Sequence, residues 1–447
     1  MLSVVKIVAI FALICWLTAR RIPLGFSLLG GAVLVGLLFG MPPGDIAEGF
    51  LAHGTSPKTI ELALMIGLIM TLSHLLQAAG LTGRMVTTLE ALIRNTKARL
   101  AILPGLIGLL PMPGGALFSA PMVKEASSGG GYEAHHVTAI NHWFRHVWEY
   151  CWPLYPGLIL LSSLPGVELS LFQYCGVQLP LTLVAMLAGF IFVFGRVRPP
   201  AAPASSSQPL PRRLSAFLGA VAPIGVLLVV TVAIELTLRK ILPSLVPYLP
   251  AFQAQVASLC EKWPWPTKSS SLVLGLMVSI GFLLVTNPIS PREEGRKLVR
   301  SKQLWLVVFM AFSVKIFAGI VVESQAAGEV AKWLQAYHVP PLVIAALLPF
   351  LVGLIAGYTP TYVGVAYPLL LGLVAGEPTH VKLAYMVFAY PWGFTGVLLS
   401  PAHACLVTTL EYFQADMAKT WRWLIPASVT VLVGGTLMHL LLRYGWA

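Results

Sequence analysis

Long apolar stretches separated by short polar links run the length of this 447-residue chain. Runs of about 20 apolar residues are long enough to cross a bilayer core as helices. They predict transmembrane helices near 3–19, 23–41, 59–80, 134–162, 171–195, 214–238, 270–288, 303–322, 378–410 and 422–443. Two further apolar segments, near 98–125 and 340–376, are cut at their centres. The first is interrupted by Pro111, Pro113, Gly114 and Gly115, the second by Gly357, Thr359, Pro360 and Thr361. A helical arm of ~12 residues reaches only ~18 Å, so each segment reads as a re-entrant hairpin that enters and leaves on one side. Non-helical backbone at that depth is tolerated only when buried in protein or facing a water-filled cavity.

Composition supports lipid as the solvent. Hydrophobic residues make up 57% of the chain and charged residues 10%, against about 25% charged in a soluble domain. The net charge of +12 sits in short loops, which is the pattern of topology signals rather than of a nucleic-acid surface. With the N-terminus outside, 18 Lys and Arg fall on the cytoplasmic side and 8 on the outer side. The positive-inside rule demands that direction. The expectation is a multi-pass protein of the cell inner membrane with both termini periplasmic. Residues Val4–Thr18 are followed by Arg20 and Arg21 without a small-residue cleavage pattern, so they read as an uncleaved first helix. Cys15, Cys151, Cys175, Cys260 and Cys405 lack metal or disulfide spacing, and those in apolar runs read as small buried hydrophobes.

A Pro/Ser-rich stretch within 196–213 divides the chain as a linker. On either side an internal repeat emerges. Ala101–Leu109, with Pro104 and Gly108, lines up with Ala346–Leu354, with Pro349 and Gly353. His136, Phe144 and Trp148 line up with His380, Phe388 and Trp392, allowing one residue of slippage. The predicted architecture is an all-α polytopic membrane protein of two inverted-topology repeats, residues 1–195 and 214–447. Each repeat has five transmembrane helices and one re-entrant hairpin. The odd number of crossings inverts the second repeat.

Inverted repeats with interrupted helices are the sequence pointer to a midplane binding site. A broken helix exposes N–H groups at one end and carbonyls at the other, which bind anions and cations without charged side chains. Pro113, Gly114, Gly115 and Ser119 of the first hairpin and Thr359 and Thr361 of the second are therefore candidate substrate-binding residues. The span after each hairpin is also interrupted by prolines: Pro153 and Pro156 in the first half, Pro391 and Pro401 in the second. That adds Asn141, Arg145 and Thr395 as substrate candidates. Gly357, Thr359, Glu149 and Ser400 are the candidates for ion coupling.

Arg145 and Glu149 stand at i and i+4. An intramembrane Arg costs at least ~2.5–3.5 kcal/mol on insertion scales and faces a partner or a cavity. The pair is either a structural ion pair or a functional one, with Arg145 attracting an anion and Glu149 titrating. His142, His146 and Glu149 at i, i+4 and i+7 could instead chelate a metal. Lys315 is another ionisable group deep in a span, and His74 lies near the matching place in the first half.

Around Leu110–Val123 and Asn141–Gly157 the sequence resembles the prokaryotic integral-membrane family catalogued as domain of unknown function 401 (DUF401), placed in the ion transporter superfamily. The resemblance covers nearly the whole chain. It implies paired hairpins in inverted repeats, a homodimer with a scaffold and an elevator-like transport domain, and solute transport coupled to Na⁺ or H⁺. The Ser-Asn-Thr hairpin signature of dicarboxylate carriers is absent, and Pro113, Gly114, Gly115 and Tyr358–Thr361 stand at the corresponding tips.

The reading is a cation-coupled secondary transporter of a small anionic solute, not an enzyme, with no cofactor beyond the coupling Na⁺ or H⁺. Its partners are the solute, the bilayer and a second copy of the chain, with no nucleic acid. The alternatives are an ion/proton antiporter and a membrane-embedded metal-dependent enzyme using His142, His146 and Glu149.

Overall fold

The structure, a computed structural model, describes residues 2–20, 22–93, 95–109, 115–128, 130–167, 169–195, 210–237 and 270–445. These form helices, with no strand among the described residues. The first half contains α1 (Leu2–Ala19), α2 (Leu24–Leu38), α3 (Pro43–Gly54), α4 (Pro57–Ala78) and α5 (Leu81–Leu92). It continues with α6 (Thr96–Gly108), α7 (Gly115–Ser127), α8 (Ala134–His146), a 3-10 turn (Val147–Tyr150), α9 (Pro156–Ser163) and α10 (Leu171–Ala188). The second half contains α11 (Leu210–Leu236), α12 (Ser270–Thr286), α13 (Pro291–Val299), α14 (Lys302–Glu323) and α15 (Ala326–Ala336). It ends with α16 (Pro341–Ala356), α17 (Thr359–Leu373), α18 (Thr379–Leu399), α19 (Ala404–Phe413) and α20 (Met417–Tyr444).

Among the described residues six stretches are long and apolar enough to cross a membrane: Pro57–Ala78, Leu171–Val193, Leu214–Leu236, Lys302–Glu323, Thr379–Phe413 and Met417–Tyr444. The chain is an all-α, multi-pass membrane protein. The expected span at 134–162 is instead two helices, α8 and α9, parted by the 3-10 turn and Pro156. The expected span at 378–410 breaks at Ser400–His403. The short helices α3, α5, α13 and α15 escape a search for long apolar runs, because each presents one polar face.

Local chemistry sets the helix starts. Asn95 caps α6, Ser170 forms a capping box with Gln173 on α10, and Asp416 caps α20 through the Lys419 N–H. Such side chains satisfy backbone donors that a helix start leaves free. Proline opens α3, α9 and α16, where a missing N–H costs nothing.

The element order repeats. Among the described residues each half runs through two apolar helices, a short polar one, a long apolar one, a second short one, a two-armed segment, a broken helix and a final long helix. Packing partners repeat as well: α1 with α2 and α11 with α12, α6 with α8 and α16 with α18, α7 with α19 and α17 with α9. Glycines matched by sequence do matched work. A Cβ on Gly108 would lie 2.0 Å from the Arg145 carbonyl oxygen, and one on Gly353 would lie 2.2 Å from the Gly393 carbonyl oxygen. In both halves the first arm touches the following broken helix backbone to backbone.

The chain divides into two compact units, each drawn from both halves: residues 1–59, 93–204 and 309–447, and residues 60–92 and 205–308. In the second unit, α11 and α12 meet through small and hydroxyl residues. A Cβ on Gly275 would fall 2.0 Å from Thr231 Oγ1, and Ser279 Oγ donates to the Pro223 carbonyl (2.7 Å). Close backbone approach replaces the hydrophobic drive that lipid does not supply between helices. Val229 and Val285 on these helices are 70% and 87% exposed. His74 contacts Glu294 (2.8 Å), which also accepts from Lys297 Nζ (2.7 Å). The hydrogen bond from Lys297 holds the Glu294 carboxyl below its ordinary pKa.

The first unit holds a belt of buried tyrosines. Tyr367 and Tyr174 both donate to the Met386 carbonyl (2.9 and 3.3 Å), and Gln178 Nε2 donates to Tyr174 (2.8 Å). Tyr362 donates to the Tyr390 carbonyl (3.4 Å). These bonds brace α18, whose ladder Pro391 interrupts. Lys315 donates to the Ser163 carbonyl at the end of α9, a favourable place for a cation.

Candidate functional site

All the candidate residues that the structure describes lie in the first unit. There the breaks in α8–α9, α16–α17 and α18–α19 come together. The tip of α16–α17 is tight. Gly357 ends α16 at φ +63, a left-handed conformation that glycine adopts without a Cβ penalty. A Cβ there would lie 2.6 Å from the His403 backbone nitrogen. The Gly357 carbonyl accepts a hydrogen bond from His403 Nδ1 (2.7 Å). The turn between α16 and α17 is thus pinned to the break in α18–α19.

Thr359, the first residue of α17, donates from Oγ1 to Glu149 Oε2 (2.9 Å). A Cβ on Gly157, near the start of α9, would lie 2.5 Å from Thr359 Cγ2. Two helix starts, one from each half, therefore abut beside a buried carboxylate. Tyr390 of α18 donates to the Glu149 carbonyl (2.9 Å). The 147–155 segment also completes the end of α6, with Trp152 Nε1 donating to the Leu109 carbonyl (2.8 Å) and Tyr155 to that of Gly108. Those carbonyls are free because α6 has ended.

α7 and α19 pack against each other, and Lys124 near the end of α7 lies over the Tyr412 ring near the end of α19 (5.6 Å). None of α7, α9, α17 and α19 carries an acidic residue in its first turn.

Of the expected substrate residues, Pro113 and Gly114 lie outside the described residues. Gly115 is buried at the start of α7, and Ser119 is turned back onto the Gly115 and Ala116 carbonyls (3.3 and 3.4 Å). Asn141 Nδ2 donates to Thr409 Oγ1 (3.3 Å), leaving Oδ1 without a partner among the described residues. The hydroxyls of Thr361 and Thr395 are buried and likewise without partners there. Ser400 Oγ accepts from the Ala402 N–H (3.1 Å), which turns the chain at the break.

The Arg145–Glu149 ion pair expected from i, i+4 spacing does not form. The helix tightens to a 3-10 turn at Val147, so the α-helical register between the two residues is lost. Arg145 Nη1 donates instead to Cys405 Sγ (2.9 Å) and lies 3.3 Å from His146 Nε2. Cys405 is thereby a polar partner rather than a filler of apolar space.

Three buried imidazoles meet here. His142, His146 and His403 each present a ring nitrogen within 4.8 Å of the others. Sequence spacing brings His142 and His146 together but names Glu149 as their third. The third imidazole is His403, the residue just before α19, and Glu149 Oε1 stands 3.8 Å from His146 Nε2. His403, Cys405, Tyr390 and Thr409 were missed by the sequence reading. The one usable signal for His403 and Cys405 was their place just beyond the Ser400-Pro401 break. A surface cleft of about 380 Å³, lined by Glu133, His135, Lys419, Arg422 and Trp423, lies at the far end of α8.

The chain is similar in fold to a solved transporter, that of the "Crystal structure of the Alcanivorax borkumensis YdaH transporter reveals an unusual topology". The likeness has a TM-score of 0.56 at 14% sequence identity and covers 90% of this chain and 88% of that one. No curated protein matches the sequence. The family profile described as "Protein of unknown function (DUF401)" matches residues 4–253 and 270–442. With nearly its whole length so matched, the chain belongs to the DUF401 family.

Proposed function

We propose that this protein is a cation-coupled secondary transporter of a small anionic solute, alternating access by an elevator-type movement as a homodimer of the cell inner membrane. Both termini are periplasmic in this reading. The observation that carries it is the meeting of α9 and α17 starts at Glu149 and Thr359. Helix starts offer N–H groups and positive dipole ends to an anion. The unpartnered hydroxyls of Thr361 and Thr395 and the Asn141 carbonyl oxygen supply neutral polar contacts nearby. Arg145 adds a positive charge. The fold shared with a transporter supports the same reading.

Glu149 is the group able to take up and release a coupling proton. The Gly357 carbonyl and the Thr359 hydroxyl are the oxygens suited to Na⁺, a hard cation that prefers oxygen. The same carboxylate favours a second reading, an ion/proton antiporter in which Glu149 exchanges H⁺ for the cation. The test is uptake into proteoliposomes under imposed Na⁺ and H⁺ gradients, with a panel of organic anions. Gradient-driven uptake of one anion, abolished by Thr359→Val, is the expected result. Cation flux against H⁺ with no anion uptake selects the antiporter, and absence of all gradient-driven flux overturns both.

A further inference from the structure

We propose that His142, His146 and His403 form, with Glu149, a binding site for a divalent transition metal of the zinc class, which staples the two halves of the chain together. The case rests on where each ring hydrogen goes. A carbonyl only accepts, so each imidazole nitrogen bonded to one must carry the hydrogen. His142 Nε2 donates to the Leu398 carbonyl (3.0 Å), His146 Nδ1 to the His142 carbonyl (2.6 Å), and His403 Nδ1 to the Gly357 carbonyl (2.7 Å). That leaves lone pairs on His142 Nδ1, His146 Nε2 and His403 Nε2 when the rings are neutral. His142 Nδ1 is buried and has no partner among the described residues. Metal-bound histidines almost always donate their other ring hydrogen to a carbonyl or carboxylate, which fixes the tautomer and aims the ligand atom. Here all three rings are fixed in that way.

His146 Nε2 and His403 Nε2 stand 3.2 Å apart. Zinc–nitrogen bonds of about 2.05 Å at tetrahedral angles place two ligand nitrogens about 3.3 Å apart. Glu149 Oε1 is 3.8 Å from His146 Nε2, while Oε2 accepts from Thr359 Oγ1. The threonine thus holds the carboxylate with one oxygen turned to the imidazoles. Imidazole nitrogens suit zinc, nickel, iron and copper rather than calcium or magnesium. His142 and His146 come from the first half and His403 from the second, so the ion would join both halves at the tip pinned through Gly357.

Three imidazoles supply three of the four positions that zinc prefers, and the Glu149 carboxylate supplies the fourth, which it leaves when it takes up a proton. The competing neighbour is Arg145, whose Nη1 lies 3.3 Å from His146 Nε2 and 2.9 Å from Cys405 Sγ. Metal binding takes the lone pair of His146 and leaves Arg145 to Cys405. Arg145→Met therefore removes both a rival donor and a positive charge, and metal affinity rises.

The experiment uses the full chain purified in detergent, loaded with Zn²⁺ or Co²⁺ and freed of excess metal. Close to one metal per chain and visible absorption bands of tetrahedral Co²⁺ are expected. Retained metal falls at least tenfold in His403→Ala and in His146→Ala. Wild-type protein holding no more metal than a His142→Ala/His146→Ala/His403→Ala variant, or lacking the Co²⁺ bands, overturns the proposal. Should the variants fail to fold, the wild-type Co²⁺ spectrum decides alone. The readout is independent of flux: metal without transport keeps this site and drops the carrier reading, and transport without metal does the reverse.

Discussion

The two broken helices share an architecture and divide the chemistry. In the first half, α8 gives way to a 3-10 turn and then α9, and the break carries Arg145, His146 and Glu149. In the second, α18 gives way to Ser400–His403 and then α19, and the nearby groups are hydroxyls, backbone carbonyls, the Cys405 thiol and the single imidazole of His403. Each half receives from the other what it lacks. Glu149 is held by Thr359 and Tyr390, Arg145 by Cys405, and Asn141 by Thr409. Among the described residues the order of elements and their packing partners recur, and the side-chain chemistry differs between the halves.

The largest effect is expected where the division of chemistry is tested directly. Glu149→Gln keeps the shape and removes the charge. A hydrogen bond to a charged group contributes ~1.5–3 kcal/mol, so gradient-driven uptake in proteoliposomes should fall by roughly 10- to 100-fold. An equal loss in Asn141→Ala, whose contact to Thr409 is neutral, would break the comparison. The shared architecture is tested by Gly108→Ala and Gly353→Ala, each placing a Cβ within 2.2 Å of a carbonyl oxygen. Both should lose ~1–3 kcal/mol to overpacking, read as parallel drops in thermal stability. Gly67→Ala, with open space around it, should lose nothing. A drop in only one of the matched pair would deny the equivalence.

Tyr390→Phe removes one neutral hydrogen bond to the Glu149 carbonyl and should cost about 0.5–1.5 kcal/mol in thermal unfolding. Lys297→Ala is expected to matter least, because surface ion pairs contribute little. Glu294 has a lowered pKa in the folded chain, so its contribution is present at neutral pH and lost as pH falls through that value. Lys297→Ala should lower the melting temperature only slightly at neutral pH and leave it unchanged in acid, so that its acid dependence weakens.

Much of the fold was legible in the sequence because lipid imposes a length and a composition on every crossing helix. The two-armed segments were legible through Pro and Gly, and the matching of Gly108 with Gly353 pointed to equivalent packing. What stayed hidden depended on geometry that periodicity does not encode. The i, i+4 relation of Arg145 and Glu149 presumed a continuous α-helix, and one tighter turn redirected both side chains. His403 lies 257 residues from His146 along the chain, and only tertiary packing brings the two rings together, edge to face. The polar short helices were hidden for the opposite reason, since their faces mix with the loops around them.

The join between α16 and α17 consists of two residues, Gly357 and Tyr358. One is held in a left-handed turn and anchored through its carbonyl. So short a connection has no slack to swing as a flap. Any gate at this end must shift both arms as a stiff lever, with its pivots at the far ends of the arms. One of those ends is the bend before Pro341, where His338 already sits at φ +54, and the other is the turn after Leu373.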